Sequence, residues 1–210
     1  MTGRIPKPTT ARLCKVYSLL DELEKYGERS ISSHEIGKRI GVRSHSIRKD
    51  ISYLGEVGIV GSGYAIEKLK AHIGSKLGLD LERKACVVGL GKLGNAIMQN
   101  EKLFSNNFKI VAGFDSNINK IETIVTDIPV YPAHEITEII RRDAIELAVI
   151  TVPGHAVQEI VGRLIAGGIR GIVNFSPVSI SSSDDRVFVS NIDIAGEFRF
   201  LSALFTLEQK

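Results

Sequence analysis

Two domains of different class, a small helical one followed by an open α/β sheet, are predicted by three features of this 210-residue sequence. Leucine and isoleucine recur at helical spacing through the front. Apolar strand-like runs alternate with helical stretches through the back. The basic charge is concentrated at one end: residues 1–80 hold 14 Lys and Arg against 9 Asp and Glu, whereas residues 81–210 hold 13 against 15. That asymmetry directs any polyanion to the front.

In the front, Leu13, Val16, Tyr17, Leu19, Leu20 and Leu23 repeat at spacings of three and four, which predicts an amphipathic first helix stopping near Gly27. Ser32 and Glu35 have capping-box spacing, so a short second helix starts there, buries Ile36 and Ile40, and ends at Gly41. Ser44 is the expected N-cap of a third helix that buries Ile47, Ile51 and Leu54. Two short helices joined by a glycine-containing turn are the geometry of the helix-turn-helix. The first-turn residues Ser44, His45 and Ser46 are placed to meet base edges, and Arg48 and Lys49 to grip phosphates. Gly55, Gly58, Gly61 and Gly63 bracket Val57, Ile59 and Val60, a pattern for a tight hairpin, or wing, closed by Tyr64. A helical adaptor with an exposed charged helix is the competing reading.

In the back, Lys84 to Val88 reads as a buried parallel strand leading into Gly89-Leu90-Gly91-Lys92-Leu93-Gly94 and then a helix, Asn95 to Leu103. This is G-x-G-x-x-G in its strand-to-helix setting. The first glycine makes the turn, the second admits a pyrophosphate to the backbone, and the third packs helix on strand. The helix N-terminus then faces phosphate charge. A second strand, Lys109 to Phe114, ends at Asp115, 21 residues past Gly94, where a carboxylate bonds an adenosine ribose 2′-hydroxyl and repels a 2′-phosphate. NAD(H) is therefore expected over NADP(H), with coenzyme A or a nucleotide sugar as competitors. Another buried strand spans Glu146 to Val152, a helix Ala156 to Ala166, and a further strand Gly171 to Phe175. Thr151-Val152-Pro153 and Asn174-Phe175-Ser176-Pro177 lie at the ligand-binding edge of such a sheet and are candidates for lining the nicotinamide end.

The nucleotide fold occupies residues 84–193 and leaves no substrate domain. His155 could donate a proton, but nothing near it in sequence orients it, so a non-enzyme is expected. A small NAD-dependent oxidoreductase is the alternative from another class. Near the end of the chain, Phe198, Leu201, Leu204 and Phe205 share one helical face, beside Ile194 and Leu207. Packing on its own domain would cover this stripe, and so would exchange with a second subunit, which builds the dimer that a palindromic operator requires.

No run of about 18 apolar residues could cross a bilayer, and Met1 to Lys7 lacks the apolar core of a secretory leader. Cys14 and Cys86 have no metal-type spacing, and Cys86 reads as a buried thiol in a reducing cytoplasm.

Several stretches, in one order, resemble the Rex family of redox-sensing repressors nearly end to end. They are Ile5-Pro6-Lys7 with Thr9, Arg12 and Leu13; Ile47-Arg48-Lys49-Asp50 with Ser52, Tyr53 and Gly55; and Gly61 with Gly63 and Tyr64. The glycine motif, Phe114-Asp115, Thr151-Val152-Pro153, Gly168-Ile169 with Gly171, Asn174-Phe175-Ser176-Pro177 and Ile192-Asp193 complete the match. The resemblance implies a homodimer with swapped C-terminal helices. NAD⁺-bound or ligand-free protein would bind operator DNA, and NADH would release it. It also implies that Lys7, Arg12, Tyr53, Gly63 and Tyr64 belong to the DNA-binding surface, and that Arg12 and Asp193 make an inter-subunit contact that changes with ligand.

Two departures stand out. Asn100 occupies the place of a family tyrosine that takes part in the switch, so the NADH response is expected to be weaker or differently wired. Ile59-Val60 stand where the wing is usually basic, leaving Arg48, Lys49 and an arm of Arg4, Lys7 and Arg12 to dominate DNA affinity. The expected organisation is a winged helix-turn-helix over 1–80, a Rossmann domain over 81–192 and a dimerisation helix over 193–210.

Overall fold

Proline sets the start of the first helix, α1 (Lys7–Lys25), with Pro6 as its N-cap and Pro8 in its first turn. Neither position needs a backbone N–H, so the helix begins a turn and a half ahead of the leucine stripe. The computed structural model describes residues 5–55, 63–100, 107–182 and 184–208. The chain divides into two units, Met1–Leu81 and Glu82–Lys210.

In the first unit, α2 (Ser33–Ile40) is closed by the full capping box: the Glu35 N–H donates to Ser32 Oγ, and the Ser32 N–H donates to Glu35 Oε2, both at 3.1 Å. It ends at Gly41, whose φ of +72° is left-handed and lets the chain reverse in two further residues. Helix α3 (Ser44–Ser52) follows. Its N-cap is Arg43, with no side-chain cap, and not the expected Ser44. The Arg43 carbonyl already accepts the Ser46 and Ile47 N–H groups, so the helix closes one residue early and Ser44 lies inside it. Leu54 is buried just past the helix end. Helix α4 (Ile66–Leu77) completes a core around Leu13, Leu20, Ile36, Ile47, Ile51, Leu69 and Ile73. Each such side chain contributes roughly 1.5–3 kcal/mol on burial.

Strands β1 (Ser30–Ile31) and β2 (Tyr64–Ala65) pair antiparallel, Ile31 opposite Tyr64. Of the hairpin expected from Gly55 to Tyr64, residues 56–62 lie outside the described residues.

The second unit is a six-stranded parallel sheet built from β3 (Arg83–Val88), β4 (Phe108–Asp115), β5 (Val130–Pro132), β6 (Leu147–Ile150), β7 (Gly171–Asn174) and β8 (Phe188–Asn191). Their spatial order, β5-β4-β3-β6-β7-β8, is the doubly wound Rossmann order, with its reversal between β3 and β6. Alternate residues of the central strands face opposite layers, as a parallel sheet covered on both sides requires. Cys86, Val88, Phe114 and Ile150 pack with α7 (Ile136–Asp143) and α8 (Val157–Gly167). Val87 and Val149 pack with Ile97 and Met98 of α5 (Lys92–Gln99). That helix begins three residues before the expected Asn95 and ends at Gln99, not Leu103, which lies outside the described residues. Helix α6 (Ile118–Thr123) joins β4 to β5.

The last helix, α9 (Ile194–Glu208), buries none of its residues, and Phe198 and Phe205 are 69% and 62% exposed.

Candidate nucleotide and DNA sites

Where the sheet order reverses, three loops meet at the carboxyl edge of β3, β6 and β7. The first is the glycine loop. Gly89 sits at φ +93°, and a Cβ there would meet Val152 Cγ1 at 2.8 Å. A Cβ on Gly94 would collide with the Gly89 carbonyl oxygen and meet Thr151 Oγ1 at 2.6 Å. Both glycines are thus demanded by the packing of the chain itself.

Gly91 is different. It is the N-cap of α5 with φ −68° and ψ −167°, a conformation open to any residue, and a Cβ would have nothing within 4 Å. Nothing in the fold requires glycine at this position. The space over it adjoins the outward N–H groups of a helix N-terminus with no acidic residue in its first turn. This is a bare cradle for a phosphate group, and the residues present fit a dinucleotide pyrophosphate. Lys92 and Leu93, also expected in the site, are exposed beside it.

Asp115 is only 6% exposed at the end of β4. Its Oδ2 accepts the Leu90 N–H at 2.8 Å and its Oδ1 accepts the Asn117 N–H at 2.8 Å. The carboxylate therefore braces the glycine loop, a task not visible in the sequence. Each carboxylate oxygen has a further lone pair, so the group keeps the capacity to accept from a hydroxyl donor. Lys120 Nζ stands 3.4 Å from Oδ2 and offsets part of the negative charge.

The second and third loops contain the other expected contacts, and many of their polar atoms are committed to the protein. Thr151 Oγ1 donates to the Gly89 carbonyl, tying β6 to the glycine loop. Val152 is buried and Pro153 exposed. Asn174, 1% exposed, donates from Nδ2 to Asn191 Oδ1 and to the Val178 carbonyl, both at 2.8 Å, while its Oδ1 accepts the Ser176 N–H at 3.0 Å. Ser176 Oγ donates to the same Val178 carbonyl. Asn174 and Ser176 thus shape the loop, leaving half-buried Phe175 and exposed Pro177 to present a surface. Gly154 meets this loop, since a Cβ on it would lie 2.8 Å from Val178 Cγ2. His155 is exposed, and among the described residues none hydrogen-bonds its ring. Among the described residues no group of three or more His, Cys, Asp or Glu could hold a metal ion.

In the first unit, α3 turns Ile47, Asp50 and Ile51 inward and leaves His45, Arg48, Lys49, Ser52 and Tyr53 exposed. Ser44 and Ser46 are half-buried. Arg48 Nη1 donates to Ser33 Oγ at 3.2 Å, which steadies the side chain against α2. Lys7 is exposed in the first turn of α1, and Arg4 lies outside the described residues. Gly63 and Tyr64 are half-buried at the start of β2.

Of the three residues expected to switch with ligand, Arg12 and Asp193 have local work. Arg12 binds Asp50 side-on, Nε to Oδ2 at 2.6 Å and Nη2 to Oδ1 at 2.8 Å, and this hydrogen bonding raises the guanidinium pKa further. Asp193 Oδ1 accepts the Gly196 N–H at 2.8 Å and so caps α9. Asn100 is exposed at the C-terminal end of α5.

A doubly wound sheet with an open glycine loop, on one chain with a capped helix-turn-helix, defines a nucleotide-binding regulator of the DNA-binding class. Comparison with known proteins agrees. A family model described as "CoA binding domain" matches residues 80–178, and one described as "Putative DNA-binding protein N-terminus" matches residues 4–52. Redox-sensing transcriptional repressor Rex 1 of Thermotoga maritima is 38% identical over 203 residues, 96% of each chain. The crystal structure of RSP in complex with β-NAD⁺ and operator DNA matches at TM-score 0.87 and 27% identity, over 98% of this chain and 94% of that one. That of RSP with β-NADH matches at TM-score 0.84 and 26% identity, over 98% and 96%. The chain belongs to the Rex family of redox-sensing transcriptional repressors.

Proposed function

We propose that this protein represses transcription in response to the NADH/NAD⁺ ratio, binding operator DNA with NAD⁺ or no ligand and leaving it when NADH binds. The observation that carries the reading is Gly91, a glycine the fold does not need, at a helix N-terminus open to a phosphate. The backbone of Gly89 to Gly94 would hold the pyrophosphate, and Asp115 the adenosine ribose. Val152, Pro153, Phe175 and Pro177 would flank the nicotinamide, with Thr151, Asn174 and Ser176 shaping the walls. When bound, the nicotinamide supplies the signal, because its ring is cationic when oxidised and neutral when reduced. An apolar corner favours the neutral ring, since burying an unpaired charge is costly.

On the DNA side, Ser44, His45 and Ser46 would meet base edges, while Arg48, Lys49, Lys7 and Tyr53 engage the backbone, with the hairpin of Gly63 and Tyr64 beside them. The bare apolar face of α9 supports a homodimer in which each copy covers the helix of the other, matching a palindromic operator. Among the described residues no helix is long and apolar enough to cross a membrane, and we place the protein in the cytoplasm, with no catalytic turnover of NADH. Asn100 favours a second reading, an operator-binding regulator with a weakened NADH response.

Operator-bound protein titrated with NADH, and in parallel with NAD⁺, tests the proposal. Release by NADH alone is expected. Retention of DNA with NADH demonstrably bound would select the second reading.

A further inference from the structure

A DNA-reading helix must be held at a fixed rotation, and apolar packing alone does this poorly because dispersion is not directional. On α3 the inward stripe of Ile47 and Ile51 is interrupted by Asp50, a carboxylate only 2% exposed. Three side-chain bonds from α1 converge on it: Thr9 Oγ1 donates to Oδ1 at 3.0 Å, and Arg12 donates from Nε at 2.6 Å and Nη2 at 2.8 Å. Arg12 Nη2 also reaches Thr9 Oγ1 at 3.3 Å, closing the ring.

We propose that Asp50 is the positioning residue of the DNA-reading helix, and that Arg12 serves operator recognition through Asp50 rather than by touching phosphate; this rests on the DNA-binding reading above. The side-on pairing occupies one edge of the guanidinium and cancels its charge. A buried carboxylate is tolerated only because it is paired in this way. The geometry it enforces matters at the exposed tips of α3, which lie about 5–6 Å from the helix axis. Rotating the helix by about 20° would move His45 or Arg48 by about 2 Å, enough to lose a hydrogen bond.

The test uses full-length protein, a duplex that the wild type selects from a random pool, and an unrelated duplex of equal length, over a salt series. Asp50→Asn keeps the size of the side chain and releases Arg12. Preference for the selected duplex is expected to fall at least tenfold, with binding to the unrelated duplex held or improved. The double variant Asp50→Asn/Arg12→Gln leaves no unpaired charge. It is expected to lose the same preference while keeping the wild-type salt slope. A phosphate-gripping Arg12 would instead lower that slope by about one ion and weaken both duplexes alike, and this result overturns the proposal. So does a selecting wild type whose variants keep full preference. A wild type that selects no duplex overturns the DNA-binding reading itself, and the proposal with it.

Discussion

Asn174 and Asn191 clasp each other across neighbouring strands: Asn174 Nδ2 donates to Asn191 Oδ1 at 2.8 Å, and Asn191 in turn exchanges two hydrogen bonds with the Ile180 backbone. The clasp fastens the loop carrying Phe175 and Pro177 to the end of β8. Two residues on, Asp193 starts α9. The walls of the candidate nucleotide site and the base of the apolar helix are therefore held by one pair of amides.

Asn191→Ala leaves the Asn174 amide and both Ile180 backbone groups short of partners. A buried polar group left without its bond costs about 1–3 kcal/mol, so unit two should lose roughly that much stability. Thermal unfolding checks this, and a midpoint lowered by several degrees is expected.

Gly91 and Gly94 should respond to substitution in opposite ways. Gly91→Val is expected to leave the unfolding midpoint nearly unchanged and to abolish NADH binding, because the side chain enters space only a ligand would use. Gly94→Ala should destabilise the fold, because its methyl would collide with the Gly89 carbonyl. Paired unfolding and NADH-fluorescence titrations separate the two.

Lys120 should moderate cofactor selectivity. Its ammonium, 3.4 Å from Asp115, softens the repulsion a 2′-phosphate would meet. Lys120→Gln is expected to widen the preference for NADH over NADPH by several-fold, measured by competition.

Burial pushes the Cys86 thiol up to about 12, and Cys14 rises in the same direction. A thiol whose folded pKa lies above its unfolded value of 9.0 is neutral in the folded state over the interval between them. The unfolded chain then holds fewer protons than the folded one, so stability from this burial is complete below about pH 9 and is lost as pH rises toward 12. Cys86 should resist alkylation at neutral pH until the protein unfolds, which a time course with a thiol reagent would show.

The parts of this architecture that depend on neighbours in sequence were legible in it. Ser32 and Glu35 form their capping box three residues apart, and the glycine loop lies between strand and helix as its spacing requires. Relationships between distant residues were not. Asp50 reads as one more polar residue on a charged helix, because its partners Thr9 and Arg12 lie on α1. Asn191 belongs to no motif and acquires its place only when β8 pairs with β7. Asp115 was recognised by spacing, but its bond to the Leu90 N–H depends on the register of β3 against β4.

The central claim is a coupling between nucleotide and DNA, and binding linkage requires such a coupling to be reciprocal. The direct measurement is NADH affinity of the full-length protein with and without saturating operator. The account predicts that operator weakens NADH binding by the same factor by which NADH weakens operator binding, about 5- to 150-fold for a coupling of about 1–3 kcal/mol. Equal NADH affinity in both conditions would contradict it.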